Sequence, residues 1–170
     1  MQRFILFLGH PLYALAVVLA TLLGASGAGA AASPRLGARY GDSGAIGRAI
    51  SALALVLLLY CLLLGPLFQA LLGLSIGARI ALAAALVAVP GFFMGQLLPA
   101  GVRIATRAAP GIVPWAWGLN GATSVLGSIA ATALSMLLGF TATLLAGLAA
   151  YVAGAAVLVF TGTAAEQPAP

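Results

Sequence analysis

The sequence predicts an all-α integral membrane protein with about five transmembrane helices, kinked by proline and glycine and packed through small residues. Three observations carry that prediction. Hydrophobic residues fill 64% of the 170 positions and charged residues only 5%. Long apolar runs recur along the chain. The segments between them are short and hold most of the arginines. A soluble domain carries roughly 25% charged residues and must cover its exterior with polar side chains. Seven arginines, two acids and no lysine do not suffice for that. Hydrocarbon removes the requirement, because the outer face of a membrane helix is itself apolar.

The first apolar run, residues 4–23, is long enough for about 30 Å of helix. It also exceeds the ~7–15 residues of a signal-peptide core. Gly9-His10-Pro11 kinks or restarts it near its beginning, since proline lacks a backbone donor. Residues 33–48 form the longest polar stretch, with Arg35, Arg39, Asp42 and Arg48 among several glycines, and read as a surface loop. A second span covers residues 49–64, with Gly65-Pro66 bending it and 67–74 available to extend it. A third covers 80–98, with Pro90-Gly91 inside. Arg103 and Arg107 follow in a short loop closed by Pro110 and Pro114. The fourth span takes 115–138 and the fifth 141–160. Only Gly139-Phe140 separates these two, which predicts a tight antiparallel hairpin. The tail, 161–170, is small and polar with two prolines and reads as disordered.

Five spans put the termini on opposite sides. With the N-terminus outside, Arg35, Arg39, Arg48, Arg103 and Arg107 lie on the cytoplasmic side and Arg3 and Arg79 on the other. The positive-inside rule therefore favours N-out, C-in. The formal charge of +5 is not a nucleic-acid signature, since the arginines lie singly or in short clusters between apolar stretches. The partner they imply is the lipid bilayer and its anionic headgroups.

Helices in lipid associate by close packing of small residues. Ala16, Ala20, Gly24 and Ala28 recur at four-residue spacing in the first span. Gly91 and Gly95 form a GxxxG in the third. Gly127, Ala131, Ser135 and Gly139 form a stripe in the fourth, with Ser124, Ser128 and Thr132 beside it. Ala142, Ala146, Ala150 and Gly154 do so in the fifth. Gly91, Gly95, Gly127 and Ser128 are the packing candidates, within one bundle or between copies of the chain.

Polar groups inside a membrane are functional candidates by default. His10, Gln96 and Asn120 are proposed as an intramembrane polar site. For His10 the alternative is an interfacial histidine that bonds backbone freed by Pro11; for Asn120 it is a bridge between helices. Trp115 and Trp117 fit headgroup anchors. Arg103 fits either a snorkelling side chain or a headgroup contact. The serines and threonines suit bonds back to their own helix carbonyls. The motifs of soluble enzymes are missing: there is no phosphate loop, no metal-ligand cluster and no carboxylate pair. Asp42 and Glu166 are the only acids. No cofactor or metal is expected, and catalysis by this chain alone is not predicted.

Gln2-Arg3-Phe4 through Phe7-Leu8-Gly9-His10-Pro11, with Ala14 and Ser26-Gly27-Ala28-Gly29, resembles a membrane segment of bacterial spermidine-synthase-like integral membrane proteins. So does Pro114-Trp115-Ala116-Trp117-Gly118-Leu119-Asn120-Gly121, continuing through Ser124-Val125-Leu126-Gly127-Ser128 to Gly139-Phe140-Thr141. The spacing of Gly95, Pro99, Gly101 and Arg103 fits as well. The resemblance implies a bacterial inner-membrane protein whose multi-helix region accompanies a soluble domain similar to aminopropyltransferases. That domain, which binds decarboxylated S-adenosylmethionine, has no counterpart in this sequence, and the acids that would hold a polyamine are missing. What remains is a non-catalytic membrane module, similar to the C-terminal membrane part of a longer family member. It would partner a soluble synthase-like domain or a second copy of itself. The alternative is a transporter or permease component for a small solute, because interrupted helices line transport sites.

Overall fold

The computed structural model describes residues 2–166. Six α-helices follow one another: α1 (Gln2–Leu8), α2 (Pro11–Tyr40), α3 (Asp42–Ala70), α4 (Ile76–Ala108), α5 (Val113–Leu137) and α6 (Gly139–Glu166). A 3-10 turn at Pro110–Ile112 joins α4 to α5, and no strand occurs among the described residues. Helices α2, α3 and α4 are long and apolar enough to cross a membrane, which gives the protein a membrane location. Helix α5 is not among those three. Asn120 and the hydroxyls of Thr123, Ser124, Ser128, Thr132 and Ser135 dilute its apolar character.

The expected first span does not begin at residue 4. Gly9 takes φ +76°, a value that side chains disfavour, and ends α1. His10 is extended and its Nδ1 accepts a hydrogen bond from the Leu12 amide at 3.2 Å, capping α2. Pro11 then sits at the first helical position, where its missing donor does no harm. The short α1 is therefore a separate element. Its Phe7 stacks on Phe68 of α3 at 4.2 Å between ring centroids, and Phe4 meets the same ring edge-on at 5.3 Å. Phe4, Phe7 and Leu8 are buried with Leu64, Phe68, Ala83 and Val87.

The loop expected over residues 33–48 is absent. Residues 33–40 complete α2, and 42–48 open α3. Gly41 alone breaks the helix, at φ +72°. The 30 residues of α2 span about 45 Å, well beyond the ~30 Å of hydrocarbon. Its last turns leave the apolar layer while remaining helical. They are polar because of where they lie, not because they are irregular. Asp42 in the first turn of α3 is favoured there by the positive end of the helix dipole. The same correction applies to Arg103 and Arg107. Both belong to the last turns of α4, and the connection to α5 starts only after Ala108. Helix α6 likewise continues to Glu166, so residues 161–166 of the expected disordered tail are helical. The rest of that tail, 167–170, lies outside the described residues.

Helices α2 and α4 run parallel and share the most extensive interface. Leu22 and Ala25 adjoin Gly91, Ser26 adjoins Gly95, and Ser33 adjoins Gln96. A Cβ on Gly95 would lie 2.0 Å from the Ser26 carbonyl oxygen, and one on Gly29 would lie 2.0 Å from that of Phe92. The two backbones therefore touch. Close approach of this kind gains dispersion and Cα–H···O contacts that lipid does not supply. Helix α3 is antiparallel to both, with Asp42 at its start against Arg103 and Arg107 at the end of α4. Ile46 and Ile50 of α3 pack with Ala100 and Ile104 of α4.

Phe140 of α6 shares an apolar chamber with Leu64 of α3, and Gly154 shares a groove with Ile46 and Ile50. Helix α6 is thus antiparallel to α3. Thr123 of α5 lines the same groove as Ala150 and Gly154, which makes α5 and α6 an antiparallel hairpin turned at Gly139. The order of the helices gathers Arg35, Arg39, Arg48, Arg103 and Arg107 at one end of the bundle. Arg3 and Arg79 lie at the other.

Candidate functional site

The polar groups that converge do so at the arginine-rich end. Asp42 is 3% exposed. Its Oδ1 accepts from Arg103 Nε at 2.8 Å, and Oδ2 meets Arg107 Nη2 at 2.5 Å. Arg103 Nη2 also donates to the hydroxyl of Ser33 at 2.9 Å and to its carbonyl at 3.2 Å. The Ser33 hydroxyl in turn donates to the carbonyl of Gln96 at 3.2 Å. A chain of polar contacts thereby ties the end of α2 to the start of α3 and the end of α4. Gly37 belongs to the arrangement, because a Cβ there would come within 2.4 Å of Asp42 Oδ1. The carboxylate lies flat against the α2 backbone for want of a side chain at that position.

Both carboxylate oxygens of Asp42 face guanidinium groups, so the residue serves as an ion-pair partner and not as a base open to a substrate. Burial of an ion pair repays its desolvation only when the remaining lone pairs and protons are also bonded. Ser33 supplies two of those bonds here. Sequence reasoning missed this cluster because it placed Asp42 and Arg103 in loops. One signal was available: Asp42 is the only acid before the C-terminal tail, and an acid adjoining membrane spans is expected to pair.

The residues singled out from sequence are dispersed. His10 is exposed at the start of α2, where it caps the helix and its ring tilts against Tyr13 at 5.3 Å. Gln96 is buried between α2 and α4, and its Nε2 donates to the Phe92 carbonyl at 3.3 Å. Asn120 is half-buried on α5, and its carbonyl accepts from Thr123 and Ser124. These three lie on different helices and do not meet. Arg103 points into the ion-pair cluster, with 29% of its side chain exposed. Trp115 and Trp117 are exposed near the start of α5, and Trp117 borders a groove with Ser26, Gly27, Gly95 and Pro99. Gly91 and Gly95 lie in the α2–α4 contact. Gly127 and Ser128 face away from the chain, with nothing within 4 Å of a Cβ on Gly127.

Two further polar side chains are bonded to backbone. The Tyr60 hydroxyl of α3 donates to the Leu86 carbonyl of α4 at 2.5 Å. That carbonyl needs a donor from outside its own helix, because Pro90, four residues on, has no N–H. Arg79 of α4 ties the end of α1 to the connection between α3 and α4. Its Nε donates to the Leu74 carbonyl at 2.9 Å and Nη1 to that of Phe7 at 3.3 Å, with Nη2 on Leu72. The largely apolar chamber among α1, α3, α4 and α6 measures 310 Å³ and includes Tyr60 and Tyr151 in its wall. Cys61 is a free thiol. Among the described residues no three His, Cys, Asp or Glu side chains gather as a metal site.

No family model, curated protein or solved structure matches the chain.

Proposed function

We propose that this chain is a non-catalytic multi-pass module of a bacterial inner membrane. It crosses the bilayer about five times, N-out and C-in, and assembles with a partner. The partner is a soluble synthase-like protein, following the resemblance of its Gly9-His10-Pro11 and Trp115-Ala116-Trp117 segments to spermidine-synthase-like membrane proteins. One observation carries the reading: the converging polar side chains are bonded to helix ends and carbonyls. Asp42, Arg103 and Ser33 join three helices, Arg79 ties α1 to the connection before α4, and Tyr60 reaches across to α4. Such groups hold helices together and are themselves taken up by protein partners. The collection of five arginines at one end supports the orientation.

Assembly is tested by photocrosslinking in native membranes from Gly111 and Trp115, both exposed at the arginine-rich end where α5 begins. An adduct with an aminopropyltransferase-like protein is expected, and adducts with lipid alone would remove the assembly role. Proteoliposomes should show no solute flux above protein-free vesicles. Flux that disappears on His10→Ala or Asn120→Ala would replace this reading with the transport one. Single cysteines at Arg39 and Ser75 should label from the cytoplasmic and outer sides respectively, and the reverse pattern would invert the topology.

A further inference from the structure

We infer that the groove between the end of α2, the start of α3 and the middle of α4 is a binding site for one anionic phospholipid. The groove measures 460 Å³, within the ~300–1,000 Å³ usual for ligand sites. Its floor is apolar, formed by Leu36, Ala45, Ala49, Ala52, Phe92 and Phe93. Two exposed arginines from different helices, Arg35 and Arg48, stand on its wall with Tyr40. The Arg48 guanidinium lies 4.0 Å from the centroid of the Tyr40 ring and donates to the Gly44 carbonyl at 3.3 Å, which fixes its position. Arg39 lies 5.2 Å from the centroid of the same ring.

Charge identifies the occupant. Asp42 is the one carboxylate at this end whose surroundings are described, and Arg103 and Arg107 occupy it. Arg35, Arg39 and Arg48 are left with no acidic partner among the described residues. A phosphate held by Arg35 and Arg48 would be matched by charge-assisted bonds, while an acyl chain covers the alanine and phenylalanine floor. A free anion would leave that floor uncovered, and a neutral lipid would leave the arginines unmatched. The helix ends outrun the hydrocarbon here, so the arginines lie at headgroup depth. The inference rests on the membrane location and is independent of any partner at α5.

The test is native mass spectrometry of the purified full chain in detergent, with phosphatidylglycerol or phosphatidylcholine added. The wild type should retain one phosphatidylglycerol in preference to phosphatidylcholine. The double variant Arg35→Gln/Arg48→Gln should weaken retention about tenfold or more. Ala52→Phe, which fills the floor and keeps both charges, should weaken it as well. Arg3→Gln, at the opposite end, should change nothing, and inorganic phosphate should not displace the lipid. Equal retention of phosphatidylcholine would overturn the inference. So would displacement by phosphate, an equal loss in Arg3→Gln, or undiminished binding in the double variant.

Discussion

Helices α2 and α5 both abound in glycine and alanine, yet they use them differently. In α2, Gly29 and Ser26 lie against the backbone of α4, and Ala14, Gly29 and Ser33 are buried. In α5, Gly118, Gly121 and Gly127 have nothing within 4 Å of a Cβ, and residues 121–133 are exposed throughout. Small residues permit close approach without compelling it. What α2 has in addition is the Asp42–Arg103–Ser33 cluster at one end and the Phe68-centred aromatic packing at the other. Helices α2, α3 and α4 hold one another in place from both ends. Helix α5 depends on α6 and on whatever surrounds the protein.

The largest effects are expected where that contrast is sharpest. Gly95→Leu forces a side chain into the Ser26 backbone and should destabilise the bundle by about 3 kcal/mol or more, the upper range for overpacking. Gly127→Leu, the matching change on α5, should stay within about 0.5 kcal/mol. Unfolding in mixed detergent micelles measures both, and equal losses would erase the distinction between the two helices. Asp42→Ala comes next. It orphans Arg103, but the exposure of the two arginine side chains, 29% and 59%, lowers the usual penalty for a broken buried pair to about 2–3 kcal/mol. Adding Arg103→Met should recover part of that loss. A full additive loss would mean that the two residues are not coupled.

Arg79→Met tests the other end. It removes the donors to Phe7, Leu72 and Leu74 and should lower stability by about 1–2 kcal/mol, given that the side chain is half-exposed. Loosening should concentrate in α1, read as faster modification of a cysteine placed at Phe7. An unchanged rate would show that aromatic packing on Phe68 alone holds α1.

The membrane character of α2, α3 and α4 was legible because composition decides it: few charges and long greasy stretches leave no other solvent than lipid. Helix ends were less legible. Residues 33–48 look like a loop by polarity and glycine content, but a helix that leaves the hydrocarbon changes its surface without changing its backbone. Only Gly41, at positive φ, marks the true break, and nothing in its neighbourhood separates it from Gly37 or Gly44 by composition. The Asp42–Arg103 pair spans 61 positions, and no local pattern joins residues that far apart. The placement of His10, Gln96 and Asn120 on different helices was hidden for a related reason. A polar residue in a span announces that it needs a partner, whereas the helix's neighbours decide which one it finds.

Tyr60 gives the smallest expected loss among the hydrogen-bonded side chains and isolates one cause. Its hydroxyl supplies the hydrogen that Pro90 withholds from the Leu86 carbonyl. Tyr60→Phe should therefore cost about 0.6–1.7 kcal/mol, from the mean to the maximum for hydrogen bonds between membrane helices. In a Pro90→Ala background the new amide can bond Leu86 within α4, and the same Tyr60→Phe change should then cost close to nothing. If Tyr60→Phe costs the same in both backgrounds, the tyrosine contributes through packing in the apolar chamber and not through the carbonyl. A bond that matters only while proline is present would show that α3 compensates for the interrupted helix. The α2–α4 unit would then owe its self-sufficiency to a repaired defect as well as to glycine contacts, and α5 has no interior proline to call for such a repair.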